Sequence, residues 1–312
     1  IVLDFAGNVA RRIDLRSFDG VGGTTNLGGD LEYVSAAGAL SVLAVTTGND
    51  TGSFSLTMPV DGTGYTIDQV GALAPILIGS TGTVSITANN HDITFDNVGN
   101  DFGGEVRIVS GNNVNLQDAN AFTFGNAGTS AIAGTLTLQT AGAITQTQAV
   151  TVTGTTSITA GANDITLDNG SNDFGGEVRI VSGNNVNLQD ANAFTFGNAG
   201  VSAIGGDLIL QAGGDITQSA AVTIVGTTSI TAGANTITLD NVDNDFGGVV
   251  SLSNSGANDV SVRDSNTLQL GATGVGSGAF VLNAVSGIDI TGNVTLSGIV
   301  TKIGRASCRE RV

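Results

Sequence analysis

Aspartate pairs are the residues whose type and spacing come closest to a chemical site. The members of each pair are five positions apart, and one pair occurs in each of three sequence repeats, as Asp96 and Asp101, Asp168 and Asp173, and Asp240 and Asp245. Calcium takes six to eight oxygen ligands, many of them from loops, so these six residues are calcium candidates. Aspartate equally bends turns, and the sequence has no Gly-Gly-x-Gly-x-Asp array. We predict no catalytic residue, no metal site and no cofactor, with calcium as the open alternative.

Histidine and cysteine are nearly missing from the sequence. The only histidine is His91, and the equivalent positions in the next two repeats hold Asn163 and Asn235. Asparagine suits a bend, so we expect His91 to be an exposed turn residue. The only cysteine is Cys308. The sequence therefore offers no transition-metal cluster and no Ser-His-Asp or Cys-His set.

Two further kinds of activity are alternatives. A polysaccharide lyase or hydrolase would need clustered basic residues and a site that breaks the repeat. Arg107 and Arg179 are instead repeat-equivalent, and Ser251 replaces them in the third copy. An ice-binding face would need Thr-x-Thr pairs in register, and the pair that begins at Thr135 is not kept in the next copy. We expect a non-enzymatic protein, with a carbohydrate-active enzyme as the alternative.

Charge argues against two classes of partner. The chain has 312 residues and a formal net charge of −17, and residues 1–301 hold six basic and 26 acidic groups. Nucleic-acid binding needs Lys and Arg to neutralise phosphates, and anionic membrane surfaces repel a polyanion. No run of apolar residues reaches the length of a membrane-spanning helix. We expect no nucleic-acid partner and no membrane insertion.

The C-terminal segment 302–312 differs from the rest of the chain. It contains four of the ten basic residues and the only cysteine. It resembles, codon for codon, the translation of a common short-read sequencing adapter. We interpret it as an adapter artefact and exclude it from fold reasoning. Because the sequence also starts without a methionine, we interpret it as an interior fragment of a longer protein.

Internal repeats organise the chain. The motif Asn-Asp-Phe-Gly-Gly occurs at Asn100, Asn172 and Asn244, and the whole segment 100–128 recurs unchanged as 172–200. The distance from Asn100 to Asn172 is the repeat period. This period divides the chain into repeats over 82–153, 154–225 and 226–297 and the start of a further repeat over 298–301. Residues 1–81 are interpreted as degenerate coils of the same kind.

A shorter spacing lies inside each repeat. The pattern Ile/Leu-x-x-Gly, which is typical of a strand followed by a corner, begins at Ile158, Ile180, Leu210 and Ile230. The intervals between these starting points are 22, 30 and 20 residues. The mean of these intervals is the size of one coil of a three-faced β-helix. A string of β-sandwich modules, one for each repeat, is the rival architecture, but it does not account for the shorter spacing.

The strands alternate apolar and polar residues, as at Val186 and Leu188, which is the pattern of a half-buried strand. Gly, Asn and Asp supply the corners. Repeated Phe102, Phe174 and Phe246 are expected to be an internal stack or corner plugs rather than a ligand platform. We predict an all-β fold, a right-handed parallel β-helix (β-solenoid) with about three coils in each repeat.

A family resemblance rests on three parts of the sequence: the segment 154–169, the motif that follows at Asn172, and the sequence Gly-Gly-Asp-Ile-Thr-Gln-Ser at 213–219. They resemble the repeats of filamentous-haemagglutinin-like large exoproteins and of autotransporter passengers. The resemblance covers 82–301 well and 1–81 poorly. It implies two-partner secretion through an outer-membrane partner and an extracellular or cell-surface location on a Gram-negative bacterium. It also implies a structural shaft of an adhesin, in adhesion, biofilm or cell contact, whose binding to host or neighbouring-cell glycans or proteins uses regions outside this sequence.

Overall fold

The computed structural model describes residues 2–3, 12–17, 31–34, 40–47, 52–58, 66–69, 75–298 and 300–304. Every helix or strand within these ranges is a β-strand. The chain divides into two compact units, Ile1–Gly154 and Thr155–Val312, and each is described by itself. Within the described residues no helix is long and apolar enough to span a membrane.

The described strands of the first unit are short. They are β1 (Val2–Leu3), β2 (Arg12–Ser17), β3 (Leu31–Val34), β4 (Leu40–Thr47), β5 (Phe54–Thr57), β6 (Thr66–Gln69), β7 (Ile76–Leu77), β8 (Val84–Thr87), β9 (Asp92–Phe95), β10 (Glu105–Ser110), β11 (Val114–Asp118), β12 (Phe122–Phe124), β13 (Ser130–Ile132), β14 (Leu136–Thr140), β15 (Ile144–Gln146) and β16 (Val150–Val152).

These strands stack in parallel as successive coils. One sheet follows the order β1-β3-β5-β8-β10-β12-β15 and a second follows β2-β4-β6-β9-β11-β14, with β7 beside β4 and β13 paired with β16. Ile93 of β9 lies beside Val114 of β11, which lies beside Leu136 of β14. The distance along the chain from Ile93 to Val114, or from Val114 to Leu136, is therefore the length of one coil. Parallel pairing between successive coils is the pattern of a β-solenoid, and it excludes the antiparallel sandwich modules of the rival architecture.

The second unit continues with strands of the same kind. They are β17 (Thr156–Thr159), β18 (Ile165–Leu167), β19 (Asp173–Phe174), β20 (Val178–Ser182), β21 (Val186–Asp190), β22 (Phe194–Phe196), β23 (Ser202–Ile204), β24 (Leu208–Ala212), β25 (Ile216–Gln218), β26 (Val222–Ile224), β27 (Thr228–Gly233), β28 (Ile237–Leu239), β29 (Asp245–Phe246), β30 (Val249–Asn254), β31 (Val260–Asp264), β32 (Thr267–Leu270), β33 (Thr273–Val275), β34 (Phe280–Ala284), β35 (Gly287–Ile290), β36 (Val294–Leu296) and β37 (Val300–Gly304).

The second unit also has two long parallel sheets. The first runs β18-β21-β24-β27-β30-β32-β35 and the second β17-β20-β22-β25-β28-β31-β34-β37, while β23, β26 and β29 form a short third sheet and β33 pairs with β30 and β36. The β-solenoid class and the all-β fold are thus confirmed, and the right-handed sense stays a prediction. Residues 302–304, the start of the segment interpreted as adapter sequence, belong to β37, and 305–312 lie outside the described residues.

The number of coils per repeat is refined by the strand registers. Ile158 pairs with Ile180, and Leu210 pairs with Ile230, so each of these two intervals is a single coil. Ile180 and Leu210 lie in different long sheets, however, so the longer interval between them is one coil and a half. Each repeat therefore contains about three and a half coils, and repeat-equivalent strands, such as β17 and β27, lie in different sheets.

The core is a column of inward side chains stacked in register. In the second unit one such column has the members Ile165, Val186, Leu208, Thr228 and Val250. All five are at most 1% exposed. Such columns suit β-branched and aliphatic residues, which pack well on a pleated surface. Stability of this kind adds up over contacts between neighbouring coils.

One corner shows why glycine and asparagine recur. Asn89, Gly161 and Gly233 occupy the same position in the three copies and have φ values of 53°, 60° and 57°. This left-handed backbone is open to glycine and, among other residues, most readily to Asn and Asp. The same bend is therefore encoded in all three copies by residues that tolerate it.

Candidate functional site

The six aspartates of the calcium prediction include two whose carboxyl groups accept hydrogen bonds from other residues. Asp101 Oδ1 accepts the backbone N–H of Gly103 at 3.0 Å, and Asp168 Oδ2 accepts the side-chain amide of Asn187 at 3.0 Å. In the part of the chain that the structure describes, no three His, Cys, Asp or Glu residues lie close enough to share a metal ion. Calcium binding by these six residues stays a prediction.

A second set of repeated aspartates was missed by the sequence analysis. Asp118, Asp190 and Asp264 end strands β11, β21 and β31 and are 2%, 2% and 0% exposed. Each follows two inward apolar residues at alternate positions, as in Val114-x-Leu116-x-Asp118. Extending the period of two by one more step would have predicted that these carboxyl groups point inward.

The carboxyl groups of Asp118 and Asp190 each accept one backbone N–H from the residue two positions later and one from the phenylalanine of the Asn-Asp-Phe-Gly-Gly motif. Asp118 accepts the N–H of Asn120 at 2.8 Å and, more weakly, that of Phe102 at 3.4 Å. Asp190 repeats these contacts with Asn192 at 2.8 Å and Phe174 at 3.1 Å. The carboxyl group thus joins the end of one strand to the corner of the preceding coil.

Burial changes the ionisation of these groups. Loss of solvent raises the pKa of Asp118 to about 6, and the nearby negative charge of Asp101 adds to the increase. The pKa values of Asp190 and Asp264 are raised for the same reasons, with Asp173 and Asp245 as the nearby charges. The second aspartate of each predicted calcium pair therefore raises the pKa of a buried aspartate farther along the chain.

The asparagine of the motif has a structural role. Asn100, Asn172 and Asn244 are fully buried. The Asn244 side chain donates to the carbonyl of Leu239 at 3.1 Å and to Gln218 Oε1 at 2.8 Å, and its Oδ1 accepts from Gln218 at 2.8 Å and from the backbone of Val222 at 3.0 Å. The side chain holds the turn against the neighbouring coil.

The glutamate that follows the motif fixes a left-handed loop. Asn126 and Ala127 have φ values of 67° and 56°, and Glu105 accepts the Asn126 N–H at 2.5 Å and the Thr147 hydroxyl at 2.7 Å. In the next copy, hydrogen bonds from Ser219 and from the Asn198 backbone hold the pKa of Glu177 below its ordinary value. Successive N–H groups in such a loop form an anion-binding concavity, and here a carboxylate of the chain itself occupies it.

The two repeated arginines support the same loops. Arg107 Nε donates to the carbonyl of Thr129 at 3.4 Å, and Arg179 Nε donates to that of Val201 at 3.3 Å. A methyl group added at Gly128 or Gly200 would overlap the guanidinium carbon. Each arginine therefore packs closely against a glycine and donates to the loop that follows it.

Two shallow concavities occupy equivalent places in the first and second repeats. The one in the first unit has a volume of about 350 Å³ and is lined by residues that include Ser110 and Thr151. The one in the second unit, about 450 Å³, has Ser182 and Thr223 at the equivalent positions. Every lining residue of the first concavity has its repeat-equivalent in the second, and none is charged. Their side chains offer hydroxyl, amide and methyl groups, which can contact a neutral ligand but supply no acid, base or cation.

The expectation for His91 was wrong, and that for the repeated phenylalanines is confirmed. His91 does lie in a turn, with its backbone N–H donating to the carbonyl of Ala88 at 3.0 Å, but the residue is only 1% exposed. The turn directs this side chain inward. Phe102, Phe174 and Phe246 are each 1% exposed, so they plug the interior and offer no ligand platform.

Comparison with known proteins finds one family. The family model described as "Repeats of unknown function (DUF5649)" matches residues 28–109, 111–181 and 183–253. No curated protein and no solved structure matches the sequence. The second and third matched segments begin one repeat period apart, and the matches together cover more than two thirds of the chain. The chain belongs to the DUF5649 family of repeats.

Proposed function

We propose that these repeats form the structural shaft of a large secreted or cell-surface bacterial adhesin, with no enzymatic activity of their own. The observation that carries the proposal is the stacking of coils whose outward faces are mostly uncharged. Along one sheet of the second unit, the outward residues that lie in register are Thr166, Asn187, Ile209, Ser229 and Ser251. This face consists of uncharged side chains in register and presents no acid, base or cation.

The use of polar side chains supports the same proposal. Asp118, Asn244 and Glu105 each accept a hydrogen bond from a backbone N–H group, so these polar side chains hold the chain in place. Coils of this kind can be added without a new core, because each contacts only its neighbours. A protein that must gain length by duplication benefits from that property.

The location and partners follow from the resemblance to filamentous-haemagglutinin-like exoproteins. We propose an extracellular or outer-membrane-associated location on a Gram-negative bacterium and export through an outer-membrane partner. Residues 1–301 contain no cysteine, which suits export because no disulfide can trap the unfolded chain. Host or neighbouring-cell glycans or proteins would be bound by regions outside this sequence.

Surface labelling of the source bacterium tests the location. Antibodies raised against the purified chain should label intact cells or detect the protein in the culture medium. Protease added to intact cells should remove that signal, while a cytoplasmic control protein stays intact. Labelling that requires cell lysis would refute the proposal.

The carbohydrate-active enzyme is the second candidate, and the concavities favour it only as places where a sugar can contact hydroxyl and amide groups, because no charged residue lines them. Incubation of the chain with acidic and neutral polysaccharides should release no product. Release of oligosaccharides that stops when Ser110, Thr151, Ser182 and Thr223 are all replaced by alanine would establish the enzyme and exclude a purely structural role. Binding without release would instead place a glycan-binding surface on the shaft.

A further inference from the structure

Each complete repeat buries one carboxyl group at the same structural position. Asp118, Asp190 and Asp264 end equivalent strands, and none is more than 2% exposed. A single buried acid could be an accident of packing. The same acid in three consecutive copies, including the degenerate third copy, is a property of the repeat.

The surroundings of these carboxyl groups supply no compensating positive charge within the described residues. Their in-register partners on the following strand are Thr140, Ala212 and Ala284. The ionisable group that acts on each is another aspartate, which is Asp101, Asp173 or Asp245 respectively. Ionisation of the buried group therefore places two negative charges close together and costs solvation.

Backbone hydrogen bonds offset only part of this cost. Each carboxyl group accepts an N–H bond at 2.8 Å, from Asn120, Asn192 or Asn266. One oxygen can accept this bond whether the other oxygen carries a proton or not. Protonation thus removes the buried charge while the principal hydrogen bond stays in place.

We propose that these three buried aspartates are acid-responsive elements, in which proton uptake by each carboxyl group tightens the stacking of the coils around it. The chain would then be most resistant to unfolding in mildly acidic surroundings and looser at neutral pH. The inference does not depend on the adhesin proposal, because it concerns the coils alone.

The direction follows from the raised pKa values. Because the pKa of Asp118 is higher in the folded protein than its ordinary value of 3.8, the folded state holds the proton more tightly. The resulting stabilisation is complete below the ordinary value and is lost as the pH rises through about 6. Between pH 7 and pH 5, Asp118 alone should raise the folding equilibrium constant about tenfold. Glu177 and Asp164, whose pKa values are lowered, oppose this only at lower pH.

Urea unfolding of the full chain at pH 7 and pH 5, in the presence of a chelator, tests the proposal. The parent is compared with Asp118→Asn, with the triple variant Asp118→Asn, Asp190→Asn and Asp264→Asn, and with the exposed control Asp240→Asn. Every other ionisable group, His91 included, is shared by parent and variants, so differences in pH dependence isolate the replaced aspartates. In the parent, the folding equilibrium constant should be higher at pH 5 than at pH 7. We expect Asp118→Asn to reduce this increase about tenfold, the triple variant to reduce it further, and Asp240→Asn to leave it unchanged. An unchanged pH dependence in the triple variant overturns the proposal.

A second measurement covers the case in which the triple variant fails to fold. Carbon-detected NMR follows the carboxyl carbons of Asp118, Asp190 and Asp264 in the unmodified protein. Titration midpoints well above those of exposed aspartates support the proposal. Midpoints in the range of exposed aspartates overturn it.

Discussion

At the scale of single residues, buried polar side chains hold the corners of the coils. Asn244 shows this most clearly, because its amide serves Gln218 and the backbone of Val222 and Leu239 at once. Removal of one partner leaves buried donors and acceptors without hydrogen bonds, which costs about 1–3 kcal/mol for each such group.

The variant Asn244→Ala measures that contribution. We expect it to lower the free energy of unfolding by about 2–4 kcal/mol, because a backbone N–H, a carbonyl group and the Gln218 amide lose their partner. Asn187→Ala is the matched control, since it removes only the exposed bond to Asp168 and should cost less than about 0.5 kcal/mol. Urea unfolding followed by circular dichroism gives both values, and equal losses would contradict the assigned role.

One core residue offers a stabilising change. Thr228 is 1% exposed between Leu208 and Val250, and its hydroxyl makes no hydrogen bond to the described residues. Thr228→Val replaces this hydroxyl with a methyl group of similar size and should raise the free energy of unfolding by about 1 kcal/mol. Thr238→Val, on the outward face of β28, should change it little. A loss of stability in Thr228→Val would show that the hydroxyl has a partner such as buried water.

At the scale of elements, the coil corners require close approach of backbone to backbone. A side chain at Gly248 would overlap the carbonyl oxygen of Gly226 in the preceding coil, whereas a methyl group at Gly274 would meet no atom within 4 Å. Gly248→Ala should therefore lower the thermal unfolding midpoint by several degrees, because the coils must separate at that corner. Gly274→Ala should leave it nearly unchanged. Similar midpoints for the two variants would show that the corner relaxes freely.

The strands could be predicted from sequence, but their assignment to sheets could not. Alternation of residues such as Val186 and Leu188 predicts which side chains point inward, and both are buried. The interval from Ile180 to Leu210 misled the analysis, because both residues begin similar motifs although they lie in different sheets. Sequence spacing shows where a strand occurs, whereas only the pairing shows which face it occupies.

The candidate residues were predictable to a similar extent. The aspartates at corners stood out because they recur beside an obvious motif. Asp118 and its equivalents were missed, because an acidic residue at the end of a strand reads as a turn signal. The inward direction of His91 had no sequence signal, since its equivalents are asparagines that suit an exposed bend.

At the scale of the whole molecule, the repeat period is not a whole number of coils. The half coil left over places equivalent strands of successive repeats in different sheets, as β18 and β28 show within the second unit. Features that belong to the repeat are thus presented alternately on two sides of the coil stack. A protein that gains length by duplication would carry the same surfaces on both sides.

Disulfide formation between introduced cysteines tests this arrangement most directly, in a background where Cys308 is replaced by serine. Asn187→Cys with Ile209→Cys joins residues that lie in register on successive coils, at about 4.8 Å and within the range that a disulfide spans. Arg179→Cys with Ile209→Cys forms the second pair; its residues would be neighbours if the interval from Ile180 to Leu210 were one coil, but they lie in different sheets. We predict that mild oxidation cross-links the first pair within the monomer and leaves the second pair reduced. Cross-linking of the second pair without the first would contradict the stacking of three and a half coils per repeat.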